Sequence, residues 1–458
     1  MRTSGLVVAA FLLVCASPAV AGPRPIAAAA GDAQSPATYQ QSDLQGNWEF
    51  HTLATGPGEP WWERAHVIIA ADGTFNATAT YSGGGTDSFG GRFVLSPAGL
   101  ITLPGSSTFG GALSSDKSVL ACTDTWSSGS PGTTEMKVGV RMGSNYKVSD
   151  LTGPLELNIL ASGPGAPFWD RGRLTIASDG TMTGTLTESG GSSDPANGTL
   201  TLTSAGIVMG SGPDSSRGAV DVGRTVMAGT ATWMGSSDPG TTELDVAVKM
   251  ASGYHQSDLA GTWEFNCLAS GFGAAWWQRA HLVIAADGSF TGTSLSSGGG
   301  TGSPHGTFVL ASDGTLTLVG STTFRGVLDA GKAVLVTTDT WASGSPGTTE
   351  MKIGTRVSTG TVDVPPAPVL ALALDPVRPN PARGGAPTIG FALPSAAPAT
   401  LELLDVAGRR VATCDLASVG AGHHVRTLAG GTRLEPGLYF VRLRQGAEIR
   451  SARVAVVE

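Results

Sequence analysis

Short runs in which apolar and polar residues alternate, each closed by a glycine-rich turn, recur through most of this 458-residue chain. From Tyr254 onward they can be taken one at a time. They are Trp263 to Leu268, His281 to Ala285, Phe290 to Ser294, Thr307 to Ala311, Thr315 to Val319, Phe324 to Leu328, Val334 to Thr338 and Glu350 to Val357. Alternation with period two marks a half-buried strand, and no helical period competes with it. Asp287-Gly288 and Asp313-Gly314 stand between such runs, where a tight hairpin needs positive φ and glycine supplies it. The pattern predicts an all-β fold with about eight antiparallel strands joined in sequence.

The pattern occurs three times, in segments 39–143, 146–251 and 254–358. Asp43-Leu-Gln-Gly-Asn-Trp-Glu-Phe50 returns as Asp258-Leu-Ala-Gly-Thr-Trp-Glu-Phe265, and Thr123-Asp-Thr-Trp126 as Thr338-Asp-Thr-Trp341. The middle copy diverges, keeping its glycine turns but losing several aromatics. Eight strands in a meander close into an up-and-down barrel, which leaves no free edge. A six-bladed propeller, with two four-stranded blades per repeat, is the alternative. The halves of one repeat do not resemble each other as duplicated blades would, which favours barrels.

Gly46-Asn-Trp48 and Gly261-Thr-Trp263 open the first strand of two copies. Gly-x-Trp followed by a meander with an Asp-Gly hairpin resembles lipocalin-like and other calycin barrels. The resemblance implies that Trp48 and Trp263 plug one barrel end, and that Arg141 and Arg356 on the last strand stack on them. The middle copy has Leu155 and Lys249 at these places. Arginine stacks on indole better than lysine, so the two replacements are physically coherent.

Beyond Ser358 the pattern changes. Residues 359–370 include Val364-Pro-Pro-Ala-Pro368, which reads as a stiff, extended linker. Segment 371–458 carries five to seven short strands with Gly/Pro turns, the pattern of a small Ig-like β-sandwich. Asp405-Val-Ala-Gly-Arg409 and Pro436-Gly-Leu-Tyr-Phe440 resemble the C-terminal sorting domains of the type IX secretion system and the Ig-like domain of flagellar hook-capping proteins. That resemblance implies secretion machinery as a partner, although Val456-Val-Glu458 ends acidic where that family commonly ends basic.

At the other end, Arg2, the apolar run Leu6 to Val14 and Ala19-Val20-Ala21 read as a signal peptide over residues 1–21. Export to the cell surface or the medium is the expectation, and no other run is long enough to span a membrane. Three cysteines remain after cleavage, Cys122, Cys267 and Cys414, at non-equivalent places, so no repeated disulfide staples the copies. Charged residues make up only 14% and the net charge of −8 is dispersed, which argues against a nucleic-acid partner.

The most distinctive loop is Gly56-Pro-Gly-Glu-Pro-Trp-Trp-Glu-Arg64, with counterparts ending Phe168-Trp169-Asp170-Arg171 and Trp276-Trp277-Gln278-Arg279. Trp61, Trp62, Phe168, Trp169, Trp276 and Trp277 could form a stacking platform at a barrel mouth for a sugar ring or a small apolar ligand. The bland alternative turns one aromatic of each pair into core. Glu135, Glu243 and Glu350 follow a Pro-Gly-Thr-Thr turn in each copy and could meet a ligand hydroxyl, or simply brace the turn. His66 and His281 have Arg173 as their counterpart, with no second ligand at metal spacing, so neither a metal nor a cofactor is expected. No nucleophile–base or paired-carboxylate arrangement stands out. The sequence therefore predicts a non-catalytic binding protein, with a structural or adhesive envelope protein as the alternative and a hydrolase as a third reading.

Overall fold

The computed structural model describes residues 39–457, apart from 57, 127–131, 164–165, 212–215, 235–238, 272–274, 342–346, 358–371, 375–381, 384–387, 395–396, 417–421 and 428–433. The signal peptide and the proline-rich linker lie outside the described residues. Repeat 1 runs through β1 (Gly46–Thr55), β2 (Trp61–Ile69), β3 (Thr74–Tyr81), β4 (Thr86–Arg92), β5 (Val94–Leu95), β6 (Leu100–Thr102), β7 (Gly110–Leu113), β8 (Val119–Thr125) and β9 (Thr134–Arg141). Each strand pairs antiparallel with the next, and β1 also pairs with β9, Trp48 opposite Arg141. β4 and β5 are one strand interrupted at Phe93, whose N–H reaches the Gly73 carbonyl at 2.9 Å. The first part lies on β3 and the second on β6, which closes an eight-stranded barrel.

Repeats 2 and 3 follow the same order, and there the third strand (Thr181–Glu188, Ser289–Ser296) bonds to strands on both sides, closing the ring directly. First and last strands of one repeat pair with each other in every copy, which rules out the six-bladed propeller. The hairpin after β2 shows how locally the chain directs this. The Asp72 carboxylate accepts the Thr74 N–H at 2.9 Å while Gly73 takes φ +86°, and Asp179-Gly180 and Asp287-Gly288 repeat the device.

Sequence alternation fails to describe β1, whose last eight residues are all buried. One face of that strand fills its own barrel. The other packs against the neighbouring repeat. A single apolar cluster combines Leu53, Met136, Val138 and Val140 of repeat 1 with Leu160, Leu244, Val246 and Val248 of repeat 2 and Leu268, Val336, Met351 and Ile353 of repeat 3. The three barrels thus share a core that none of them could build alone.

The polar contacts around that core run in one rotational sense. Trp62 donates its indole N–H to Thr232 at 2.7 Å, Trp169 to Thr340 at 2.7 Å, and Trp277 to Thr125 at 2.6 Å. Repeat 1 therefore reaches repeat 2, repeat 2 reaches repeat 3, and repeat 3 returns to repeat 1. Arg64, Arg171 and Arg279 lie over these indoles at 4.0–4.1 Å and bond to Thr230, Thr338 and Thr123 of the same neighbours. At the centre, Thr55 Oγ1 lies 2.9 Å from Ser162 Oγ, which lies 2.9 Å from Ser270 Oγ. The arrangement is a pseudo-three-fold ring within one chain.

Val362–Glu458 forms a separate compact unit. Its described strands make a three-stranded and a five-stranded sheet whose inner faces share one core, including Ile389, Phe391, Leu401, Leu403, Val441 and Val454. Two sheets around one core are a β-sandwich. The Tyr439 hydroxyl donates to the Glu435 carbonyl at 2.8 Å, which ties the start of the strand Gly437–Gln445 to the chain before it.

Candidate functional site

Register decides what each barrel holds. On β1, Trp48, Phe50, Thr52 and Ala54 point inward, opposite Val67, Ala65, Glu63 and Trp61 of β2 and Arg141, Gly139, Lys137 and Glu135 of β9. The interior therefore changes from apolar to charged along its length.

At the apolar end, the 3-10 turn Gln41–Leu44 covers the barrel and the Trp48 indole donates to the Leu44 carbonyl at 2.9 Å. The Arg141 guanidinium lies 4.9 Å from the centre of that ring and bonds the Asp43 carbonyl. Trp263, Leu259 and Arg356 repeat the arrangement, at 2.9 and 4.8 Å. In repeat 2 the Lys249 ammonium reaches the Asp150 carbonyl at 2.9 Å. Leu155, smaller than indole, leaves a cavity of about 10 Å³ beside Val220 and Met227, room for roughly one water molecule. The middles of barrels 1 and 3 are filled: Phe75 stacks on Phe93 at 4.4 Å and Phe93 on Phe109 at 5.6 Å, as Phe290, Phe308 and Phe324 do in repeat 3, whereas Leu157, Met182, Leu186 and Leu200 of repeat 2 are only partly buried.

The opposite end is the candidate site. In repeat 1 the Lys137 ammonium lies 3.0 Å from Glu135 and 3.8 Å from Glu63, both buried. Burial pushes the Glu135 carboxyl up, partly offset by Lys137 and a hydrogen bond from Trp126. Burial also opposes charge on Lys137, yet the two glutamates hold its pKa above the ordinary lysine value. Above this pair, Trp61 meets Trp126 edge-to-face at 5.3 Å and Tyr81 at 6.0 Å. One Glu135 oxygen, Oε2, has no hydrogen-bond partner.

Repeat 3 keeps the plan with Gln278 in place of Glu63. Lys352 bonds Glu350, Cys267 Sγ donates to Glu350 at 3.3 Å, and Trp276 meets Trp341 at 5.2 Å. Burial lifts the Cys267 thiol to about 11, so it stays protonated. Repeat 2 departs from the plan. Asp245 takes the lysine position and Asp170 the Glu63 position, beside Glu243, with Phe168 and Trp233 as the aromatics. Burial, then the charges of Glu188 and Asp194, push the Asp170 carboxyl up to about 6.

The structure thus separates the six aromatics singled out in the sequence. Trp61, Phe168 and Trp276 are half-buried at the mouths, whereas Trp62, Trp169 and Trp277 are buried between repeats. A strand sends neighbouring side chains to opposite faces, so two adjacent aromatics cannot share one platform. Glu135, Glu243 and Glu350 lie inside the mouths rather than in solvent. Sequence reasoning missed Lys137 and Lys352, whose position is marked only by the alternation of the last strand. It also missed the partner aromatics Trp126, Trp233 and Trp341, although they recur in the repeat. His66 and His281 bond Glu49 and Glu264 at 2.9 and 2.5 Å. Among the described residues no group of three His, Cys, Asp or Glu side chains is placed to hold a metal ion.

No protein-family model matches this chain, and no curated protein does. Among solved structures, a DUF3598-family protein of unknown function from Nostoc punctiforme PCC 73102 aligns over 70% of this chain and 99% of its own, at 10% identity and a TM-score of 0.17. Transferrin-binding protein B from serogroup B Neisseria meningitidis aligns over 65% and 66%, at 9% identity and TM-score 0.26. Its counterpart from Haemophilus parasuis Hp5 aligns over 69% and 77%, at 8% and 0.23. Such TM-scores are too low to carry a ligand or a function from those proteins to this one.

Proposed function

We propose that this is an exported, non-catalytic binding protein whose three barrel mouths take hydroxyl-rich ligands, sugars above all. The observation that carries this reading is an aromatic pair beside a buried glutamate, Trp61 and Trp126 with Glu135 and Trp276 and Trp341 with Glu350, at positions that Phe168, Trp233 and Glu243 hold in repeat 2. An aromatic face and a carboxylate at one opening complement the apolar and hydroxyl sides of a pyranose. The filled interiors of repeats 1 and 3 oppose a lipocalin-type ligand held deep in the lumen, which moves binding there to the rim. Residues 1–21 and the sandwich unit fit export and surface display, the latter through secretion machinery.

Titration of soluble neutral oligosaccharides into the full chain tests the reading. Trp276→Ala and Trp341→Ala are expected to weaken binding at one mouth at least tenfold while leaving the denaturation midpoint near the parent value. Saturable binding unaffected by either variant, or none to any oligosaccharide, overturns it. A structural envelope role without a small ligand is the second reading, favoured by the shared core, which makes the ring a rigid building block.

A further inference from the structure

We infer, resting on the reading above, that the three mouths open on one face of the ring and act together on a neutral, repeating glycan borne on a surface. The inference follows from where three strands end. Thr55, Ser162 and Ser270 terminate the first strand of their repeats, and their hydroxyls meet at 2.9, 2.9 and 3.4 Å. Three equivalent strand ends therefore converge on one point. In register, the residue just before each hydroxyl lies opposite a mouth aromatic: Ala54 faces Trp61, Ala161 faces Phe168 and Ala269 faces Trp276.

Paired strands lie about 5 Å apart, so all three aromatics flank the central hydroxyls closely. Trp48 and Trp263 stand seven residues earlier on their strands, which puts the plugged ends roughly 20 Å away on the far side. The same face exposes Trp233 (36%), Trp341 (39%) and Met234 (62%), which stand just past the strands bonded at Thr232 and Thr340.

Two consequences fix the partner. First, the sites are held by a common core rather than by flexible linkers, so the second and third contacts need no further ordering of the protein. A target with one copy of the ligand gains nothing from this, but a dense array does. Second, the mouths are lined by Glu63, Glu135 and Lys137 in repeat 1, by Asp170, Glu243 and Asp245 in repeat 2 and by Glu350 and Lys352 in repeat 3, so acidic side chains outnumber basic ones among these. Like-charge repulsion at the first two mouths works against sulfated or uronate-rich polymers spanning the ring. A neutral polysaccharide is left.

The test compares the full chain on neutral polysaccharides (mannan, dextran and xyloglucan) immobilised at graded density with its binding of hexasaccharide fragments in solution. Apparent affinity is expected to rise at least a hundredfold from fragment to dense surface, and to collapse toward the fragment value as the surface is diluted. Trp276→Ala should lower surface retention at least tenfold and leave fragment binding at the other two mouths unchanged. Equal affinity for fragment and dense surface, or tighter binding to heparin than to any neutral polymer, overturns the inference while leaving ligand binding at the mouths intact. Absence of binding to every neutral glycan in both formats removes the underlying reading as well. The density series uses the parent chain alone, so the outcome does not hang on a variant folding.

Discussion

Trp62 of repeat 1 donates its indole N–H to the Thr232 hydroxyl of repeat 2 while Arg64, stacked on the same ring at 4.0 Å, bonds the neighbouring Thr230. One side chain thus joins two barrels through a hydrogen bond, a cation–π contact and its own apolar area. Trp62→Phe removes the donor but keeps most of the area, and should cost about 1 kcal/mol. Trp62→Ala also opens a hole beneath Arg64 and should cost about 3–5 kcal/mol. Urea denaturation of the full chain measures both. Equal, small effects would show that the joint contributes little.

Each repeat carries both halves of the joint: repeat 3 holds Trp277 and Arg279 as well as Thr338 and Thr340. Residues 252–358 expressed alone are therefore expected to assemble as a homotrimer in sedimentation experiments, with stability that rises with protein concentration. A monomer as stable as the full chain would mean that the shared core is dispensable.

His51 is wholly buried beside Arg64 and Arg217, and neither ring nitrogen has a hydrogen-bond partner. Burial first, then the two guanidinium charges, push its pKa down to about 3. Above the ordinary histidine value of about 6.5 the ring is neutral in both folded and unfolded chains. Below it, the unfolded chain takes up a proton that the folded one refuses until about pH 3, so stability is lost as pH falls through that window. Asp170 and Asp221, raised by burial to about 6, work in the opposite sense, so only a difference isolates the histidine. His51→Asn, the residue found at 158 and 266, should remove several kcal/mol of acid sensitivity between pH 7 and pH 4. Parallel acid profiles for parent and variant would sink this account.

Lys137 stands between two buried carboxylates in its barrel mouth, the one cation paired with them among the described residues. Lys137→Met leaves Glu135 and Glu63 facing each other unpaired and should cost about 3–5 kcal/mol, whereas adding Glu135→Gln should recover much of it. Thermal unfolding of the single and double variants, with the coupling taken from the cycle, decides the matter.

Much of each barrel was legible because its outward strands obey period two and its hairpins carry Asp-Gly. All eight runs from Trp263 to Val357 correspond to strands. The exception in position is the second one, which starts at Trp276 rather than His281. There Trp-Trp breaks the alternation because each indole is buried on a different face, one in the mouth and one in the joint. The ring was not legible for a related reason. The outward residues of the first strand, Glu49, His51, Leu53 and Thr55, mix charge, hydroxyl and hydrocarbon, and nothing local says that Glu49 meets Arg217 and Thr55 meets Ser162 in the next repeat. The mouths were half legible: recurring aromatics and glutamates stood out, while Lys137 and Lys352 looked like ordinary surface lysines.

The position held by Gly110 in repeat 1 is held by Arg217 and Arg325 in the other two, where they pair with Glu49 and Glu156 of the preceding repeat. A trimer of identical chains has no such option, since any change to its joint is felt three times and must be tolerated three times. Joined in one polypeptide, the barrels keep the geometry of a symmetric assembly while each joint and each mouth varies by itself. Asp245 standing where Lys137 and Lys352 stand elsewhere is a single change, felt once.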